Sequence, residues 1–440
     1  MNVDSYTLQG TRILRRSKKI RVCGRGTITK PERSDASVHL LPDDILKDIF
    51  ALFVESLDNI CTFSRRTPSY SCRILLSSVC RRWRNVIQDM PILWANIVTD
   101  LTEDYPPAPL FTLMVERSNP VLVNVDLWGA GDLHESYPHV SPQTNPGGVS
   151  SITLINSLKA LSPHIQRCRR LKAFIIDSKS AQALAGIPFT SAHSLEELEL
   201  ATQCRQAIDN KIFLSLGGLT ALRRLTLLGF GNGPTTIDKA IPILPWSQLL
   251  HLDLSYTIPT EEVIWLLQNC TSAVTMRIKA GMEVAYYSGP VICVPNLRAL
   301  SLSVRGRCVF QSLSRIEAPN LAIFDLKIRY EWSIYAEIDI PFDFLTDEHL
   351  AWPSVLNKTS SLQVLLMDDS RLSHQDTLRL VENDYIKRIP IVKLGIRAVE
   401  RIRARQIQHL LLSDHKMLGW LNTSVSPEHR TFLHGLGLRV

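Results

Sequence analysis

The sequence predicts an α/β chain in two unequal parts. A small helical module lies near the N-terminus, and a long solenoid of parallel short strands and return helices follows. Three observations predict it. Seven segments share one template with apolar residues at positions 1, 4 and 6: LKAFII at 171, LEELEL at 195, LRRLTL at 222, LLHLDL at 249, AVTMRI at 273, LRALSL at 297 and LAIFDL at 321. Their steps are 24, 27, 27, 24, 24 and 24 residues, a length that holds one strand and a return element that only stacked neighbours bury. Ahead of them, residues 41–97 carry apolar side chains at helical spacing. Finally, 440 residues at 45% hydrophobic and 21% charged supply ample material for a core.

Residues 1–37 come first. Residues 1–35 hold nine Lys or Arg against Asp4, Glu32 and Asp35, a charge of +6, so the other 405 residues sum to +1 of the net +7. The chain is therefore a near-neutral body with a basic tail, TRILRRSKKIRVCGRG. A solvated, disordered arm is expected there. A nuclear-import address or a sequence-independent phosphate contact fits the same residues. MNVDSYTLQG lacks the basic and apolar regions of a secretory signal, and no window approaches 18 consecutive apolar residues, so no membrane span is expected. Nine cysteines, an odd number, are widely spread without Cys-x-x-Cys. That predicts reduced thiols in cytoplasm or nucleus, and neither a zinc site nor a disulfide framework.

Residues 38–98 form the helical module. Pro42 suits the first helical position, and Asp43 and Asp44 complement the positive end of the helix dipole. Ile45, Ile49 and Phe53 share one face, with Leu46 and Phe50 beside it. SLDNICTFSRRTPSYSC, 56–72, reads as a loop. In RILLSSVCRRWRNVIQDMP, Leu75, Leu76, Val79, Cys80, Trp83, Val86 and Ile87 recur at i, i+3, i+4, i+7, ended by Met90 and Pro91. A domain near 60 residues buries only about 60% of its surface. Apolar residues on more than one face of each helix therefore predict a partner surface.

These residues resemble an F-box. The likeness lies in LPDDILKDIF at 41–50, in VCRRWR at 79–84 and in the closing Leu93-Trp94, in the right order. The long 56–72 loop departs from the pattern and is similar to loops in the F-box families of mushroom-forming (basidiomycete) fungi. The resemblance implies a three-helix module that docks a Skp-type adaptor and, through it, a cullin scaffold. It places Leu41, Pro42, Ile45, Leu46, Ile49, Val79, Cys80, Trp83 and Trp94 at or just under that interface. Trp83 is equally placed to be core, with one edge toward the adaptor.

After a linker helix over 99–120, residues 121–413 resemble leucine-rich repeats, with weaker copies LVNVDL at 122, LQVLLM at 362 and IVKLGI at 391. TEEVIWLLQNC is a return helix with Val263, Leu266, Leu267 and Cys270 on its buried stripe. Gln203, Phe230, Thr257, Arg305 and Arg329 stand where the repeat family carries Asn or Cys, so the repeats are expected to be irregular and without a continuous asparagine ladder. Alternation then turns positions 3, 5 and 7 to the concave side. Glu197, Glu199, Arg224, His251, Asp253, Arg277 and Lys279 are nominated there to hold a target protein. Asp126, Trp128, Asp177, Asp325, Lys327 and Arg397 accompany them on a surface acidic at its start and mixed later. Two insertions are expected: a Pro/Gly/Ser-rich loop at 129–150, and 330–352 with six aromatics and six acids but no Lys or Arg. Residues 414–440 are a tail.

No chemistry-bearing motif emerges. GFGNGP at 229 imitates a dinucleotide fingerprint, but Pro234 occupies the third glycine's place. Twelve histidines lack ligand spacing. No catalytic residue, metal or cofactor is expected. The resemblance implies a non-enzymatic substrate receptor of an SCF-type ubiquitin ligase. Two alternatives stay open: an F-box scaffold outside the ligase, or a nucleic-acid-associated protein acting through the basic arm.

Overall fold

The computed structural model describes residues 41–61, 70–101, 108–128, 151–202, 215–229, 244–258, 260–280, 289–305, 315–329, 359, 361–369, 386 and 388–394. The arm, both insertions and the tail expected from the sequence lie outside them.

The N-terminal module consists of α1 (Asp43–Cys61), α2 (Tyr70–Val79), α3 (Arg81–Gln88) and the single turn α4 (Pro91–Trp94). Two boundaries differ from the sequence reading. α1 runs to Cys61 and α2 starts at Tyr70, so both enter the stretch assigned to a loop. The one periodic run from 73 to 91 is two helices, broken at Cys80. Extended backbone there (φ −157°, ψ 170°) lets the Cys80 Sγ accept from the Trp83 amide and start α3. A cysteine at the cap leaves the apolar periodicity uninterrupted, which hides the break.

Eleven strands form one parallel sheet among the described residues: β1 (Asn96–Asp100), β2 (Val123–Trp128), β3 (Cys168–Ile175), β4 (Glu197–Thr202), β5 (Arg224–Leu228), β6 (His251–Ile258), β7 (Thr275–Ala280), β9 (Ala299–Arg305), β11 (Ile323–Arg329), β12 (Val364–Asp369) and β13 (Ile391–Leu394), side by side in chain order. The two-residue strands β8 (Ile292–Cys293) and β10 (Ile316–Glu317) pair separately. Helices α5 (Ala108–Arg117), α6 (Ser151–Leu161), α7 (Ser178–Ala185) and α8 (Thr260–Asn269) return the chain between strands. Val263, Leu266 and Leu267 on α8, and Cys270 just past its end, are buried. The chain is thus a leucine-rich-repeat-like solenoid. No helix among the described residues is long and apolar enough to cross a membrane.

Pairing shifts the repeat in three places. Leu171 aligns with Leu198 rather than with Leu195, so the template starts at Cys168, not 171, and every step from 168 to 249 is 27 residues. At the C-terminal end Val392 and Leu394 align with Leu365 and Met367, so that copy starts at Ile389, not 391. At the other end β1 pairs with β2, Ile97 beside Val125 and Thr99 beside Leu127. The sheet therefore begins at Asn96, inside the segment assigned to the helical module and its linker.

One hydrophobic core runs from Leu46 and Phe50 on α1, through Trp94 and Ile97, to Ile389. The Trp94 indole Nε1–H donates to the Ile87 carbonyl at 2.9 Å, and the Arg117 guanidinium lies 4.9 Å from its ring centroid. Trp94 is the joint between module and solenoid. Part of the apolar surface that seemed too large for the module is covered by the first repeats.

A side-chain ladder also links the repeats, though not at the position the repeat family uses. Gln248, Asn296, Asn320 and Ser361 donate to the carbonyls of Leu219, Thr271, Pro295 and Pro319 in the preceding repeat, at 2.8, 3.1, 2.7 and 2.7 Å. Each lies just before its strand, where a tight turn would otherwise leave those carbonyls short of partners. At Gly229, φ is +72° and an added Cβ would stand 2.3 Å from the Thr202 carbonyl oxygen. The first glycine of the dinucleotide-like GFGNGP is therefore there for backbone packing.

Candidate functional site

Two surfaces carry the nominated residues. The first is the outer face of the helical module. Leu46 is buried beneath α1, whereas Ile45, Ile49, Leu52 and Phe53 are exposed on it. Ile74, Leu75 and Val79 are exposed on α2, and Ile92 on α4. Pro42 is exposed; Leu41, Cys80 and Trp83 are half-buried. The Trp83 ring packs edge-on against Phe50, centroids 4.8 Å apart, so its body belongs to the core and only part meets solvent. Arg82 fixes the start of α1 to α3: its Nη2 donates to the Leu41 carbonyl and its Nε to the Asp43 carboxylate at 2.8 Å.

Of the nine residues assigned to this face, Leu46 and Trp94 are buried, Leu46 beneath the face and Trp94 in the joint with the solenoid. Leu52, Phe53, Ile74, Leu75 and Ile92 are further apolar residues exposed on α1, α2 and α4. Their apolar character was visible in the sequence; what was missing was which helix faces the neighbouring helices cover.

The second surface is the concave side of the sheet. Residues Glu197, Arg224, His251 and Thr275 lie in one row across β4–β7, and Glu199, Thr226, Asp253 and Arg277 in the next. The nominated residues are therefore neighbours in space, with Lys279 on β7 beyond them. Corrected register brings in two cations the sequence reading passed over. Arg170 pairs with Glu197 at 3.3 Å and Lys172 with Glu199 at 2.8 Å. Glu197 and Glu199, which made the start of the face look acidic, are thus each paired with a cation on the neighbouring strand. Asp177 is not on that face: its carboxylate accepts from the Ser180 amide at 2.8 Å and caps α7, and the Asp177 amide in turn donates to Ser180 Oγ at 3.0 Å. Burial pushes the Asp177 carboxyl up, but the Ser180 and Ser151 bonds outweigh it and hold the group below the ordinary carboxylate range. Arg397 lies outside the described residues.

Further pairs knit the face across strands. Asn124 donates to Asn96 at 2.7 Å, Arg277 meets Asp253 at 3.5 Å, and Ser301 donates to Asp325 at 2.8 Å. Lys327 stands 3.3 Å from Asp325 on its own strand. His251 Nδ1 lies 2.8 Å from Thr275 Oγ1. Burial, with Arg224 alongside, lowers the His251 pKa against a smaller opposing pull from Glu197, which favours the neutral ring. Arg224 Nε is buried without a hydrogen-bond partner.

Among the described residues no three His, Cys, Asp or Glu gather as a metal site. Cys168 and Cys270 are free thiols pushed up to about 12 by burial. Both are core packing, not nucleophiles.

No protein-family model and no curated protein matches the chain. Among solved structures it is similar to a chain in the crystal structure of the Rad7 and Elc1 complex in yeast, at 15% identity and a TM-score of 0.32, over 57% of this chain and 65% of that one. It is also similar to a protein of Bacteroides fragilis, at 12% identity and a TM-score of 0.29, over 57% and 76%. The solenoid rests on the sheet register described above, not on these likenesses.

Proposed function

We propose that the chain is a non-catalytic substrate receptor of an SCF-type ubiquitin ligase. The outer face of α1, α2 and α4 docks a Skp-type adaptor, and through it a cullin. The concave face of the solenoid holds a target protein. Such a receptor supplies proximity and orientation, with the bond-making left to the rest of the complex. The observation that carries the reading is the exposed apolar face on the same helices that resemble an F-box: Ile45, Ile49, Leu52 and Phe53 on α1, and Ile74, Leu75 and Val79 on α2. Exposed apolar surface that the core does not claim marks a partner site.

Affinity capture of the tagged full chain tests it. Adaptor and cullin are expected together. Adaptor without cullin would favour a scaffold outside the ligase, and neither protein would remove the reading.

A further inference from the structure

We infer that the concave face takes an acidic segment of the target, whose carboxylates seat on Arg223 and Arg224 at the start of β5. The inference deepens the receptor reading and rests on its claim that this face holds a target. Both arginines point away from the core: Leu222 and Leu225 on either side of them are fully buried, while Arg223 is exposed and Arg224 half-buried. Strand pairing leaves the two cations without an anion. Arg169, Arg170 and Lys172 meet Glu196, Glu197 and Glu199 at 2.9, 3.3 and 2.8 Å, so the carboxylates next to β5 are engaged from the β3 side. On the β6 side, Leu250 and His251 stand beside Arg223 and Arg224. The next carboxylate there, Asp253, meets Arg277 at 3.5 Å. The Arg224 Nε–H is buried and finds no acceptor. A buried donor left open costs stability unless something outside the chain completes it. Two guanidiniums with no counter-charge beside them attract an anion to that spot.

The surroundings select a carboxylate rather than a phosphate. Glu197 stands beside Arg224 on β4, and Asp253 lies one row on across β6. A second negative charge on the same ligand group would face both. His251, the neighbour of Arg224 on β6, is biased to its neutral ring by burial and by Arg224 itself, so it adds no third cation for a dianion. A guanidinium holds a single carboxylate through two parallel N–H···O bonds. Acids at alternate positions of an extended segment lie on one side of it, which lets one segment present more than one carboxylate to the face.

Fluorescence anisotropy with the purified full chain tests it, using a labelled peptide of alternating Glu and Gly at low ionic strength. Saturable binding is expected, weakened about tenfold by Arg224→Gln and by Arg223→Gln. The exposed Arg223 keeps the test decisive if the Arg224 variant does not fold. Arg298→Gln, at the equivalent exposed position before β9, removes the same charge and should leave the affinity unchanged. No binding, an equal loss with Arg298→Gln, or tighter binding of the phosphoserine counterpart of the peptide would overturn the inference. Adaptor capture by the same preparation scores the ligase reading separately, because the variants leave the helical module untouched.

Discussion

Truncating two leucines of the module's outer face separates docking from folding. Leu52 on α1 and Leu75 on α2 are 66% and 64% exposed. Fully burying a leucine is worth about 1.5–3 kcal/mol, so covering the exposed two thirds contributes about 1–2 kcal/mol per residue. Leu52→Ala with Leu75→Ala should therefore cost about 3 kcal/mol of adaptor affinity, roughly a 150-fold rise in Kd. The third of each side chain already covered limits the stability loss to about 1 kcal/mol per site. Leu46→Ala is the counterpart: that side chain is buried, and its truncation should cost about 2–5 kcal/mol of stability. The assay is titration of a purified Skp-type adaptor against each full-length variant, beside a thermal melt. A double variant that melts near wild type and binds the adaptor with wild-type affinity would refute the reasoning.

Gly229→Ala places a Cβ against the Thr202 carbonyl at positive φ, and a loss of about 1–3 kcal/mol is expected in urea unfolding; a change under about 0.5 kcal/mol would contradict the turn geometry. Asp177→Ala should cost about 1 kcal/mol at pH 7, with Asp177→Asn nearly neutral. Because the folded pKa of Asp177 lies below 3.8, the charged group's contribution is fully present above that value and fades as pH falls through the folded pKa. As pH falls through the folded pKa, wild type should lose stability relative to Asp177→Asn, and a pH-independent difference would contradict it. Reversing Lys172 or Glu199 singly should destabilise, and the double reversal should restore most of the loss, a coupling of about 1 kcal/mol; additive effects would break the pairing inferred from their 2.8 Å contact.

Where hydrophobic side chains are large and regularly spaced, the sequence reads through to the structure. The repeats at 195, 222, 249, 273, 297 and 321 stand where the pattern puts them. The copy at 171 slips by three residues because the template's first two apolar positions are themselves three apart. Leu171 fits either one, and Cys168 and Ala173 are weak markers beside Phe174. That slip hid Arg170 and Lys172 and put Asp177 on the wrong surface. β1 escapes notice because only Ile97 and Thr99 point inward from NIVTD, too short an alternation to stand out beside a helical stretch. On α1, spacing groups Ile45, Ile49 and Phe53 correctly. It does not tell Leu46, covered by its neighbours, from Leu52, left open: periodicity shows which side chains share a face, and only packing shows what lies against it. The inter-repeat ladder of Gln248, Asn296, Asn320 and Ser361 was legible in part, since Pro-Asn-Leu precedes both β9 and β11.

Hydrogen–deuterium exchange on the full chain, alone and with a saturating Skp-type adaptor, tests adaptor docking most directly. Exchange is expected to slow within α1 and α2 and to stay unchanged along β3–β7, leaving the concave face free for a target. Failure to form a complex, or protection on the concave strands with the two helices unaffected, would contradict docking through the helical module.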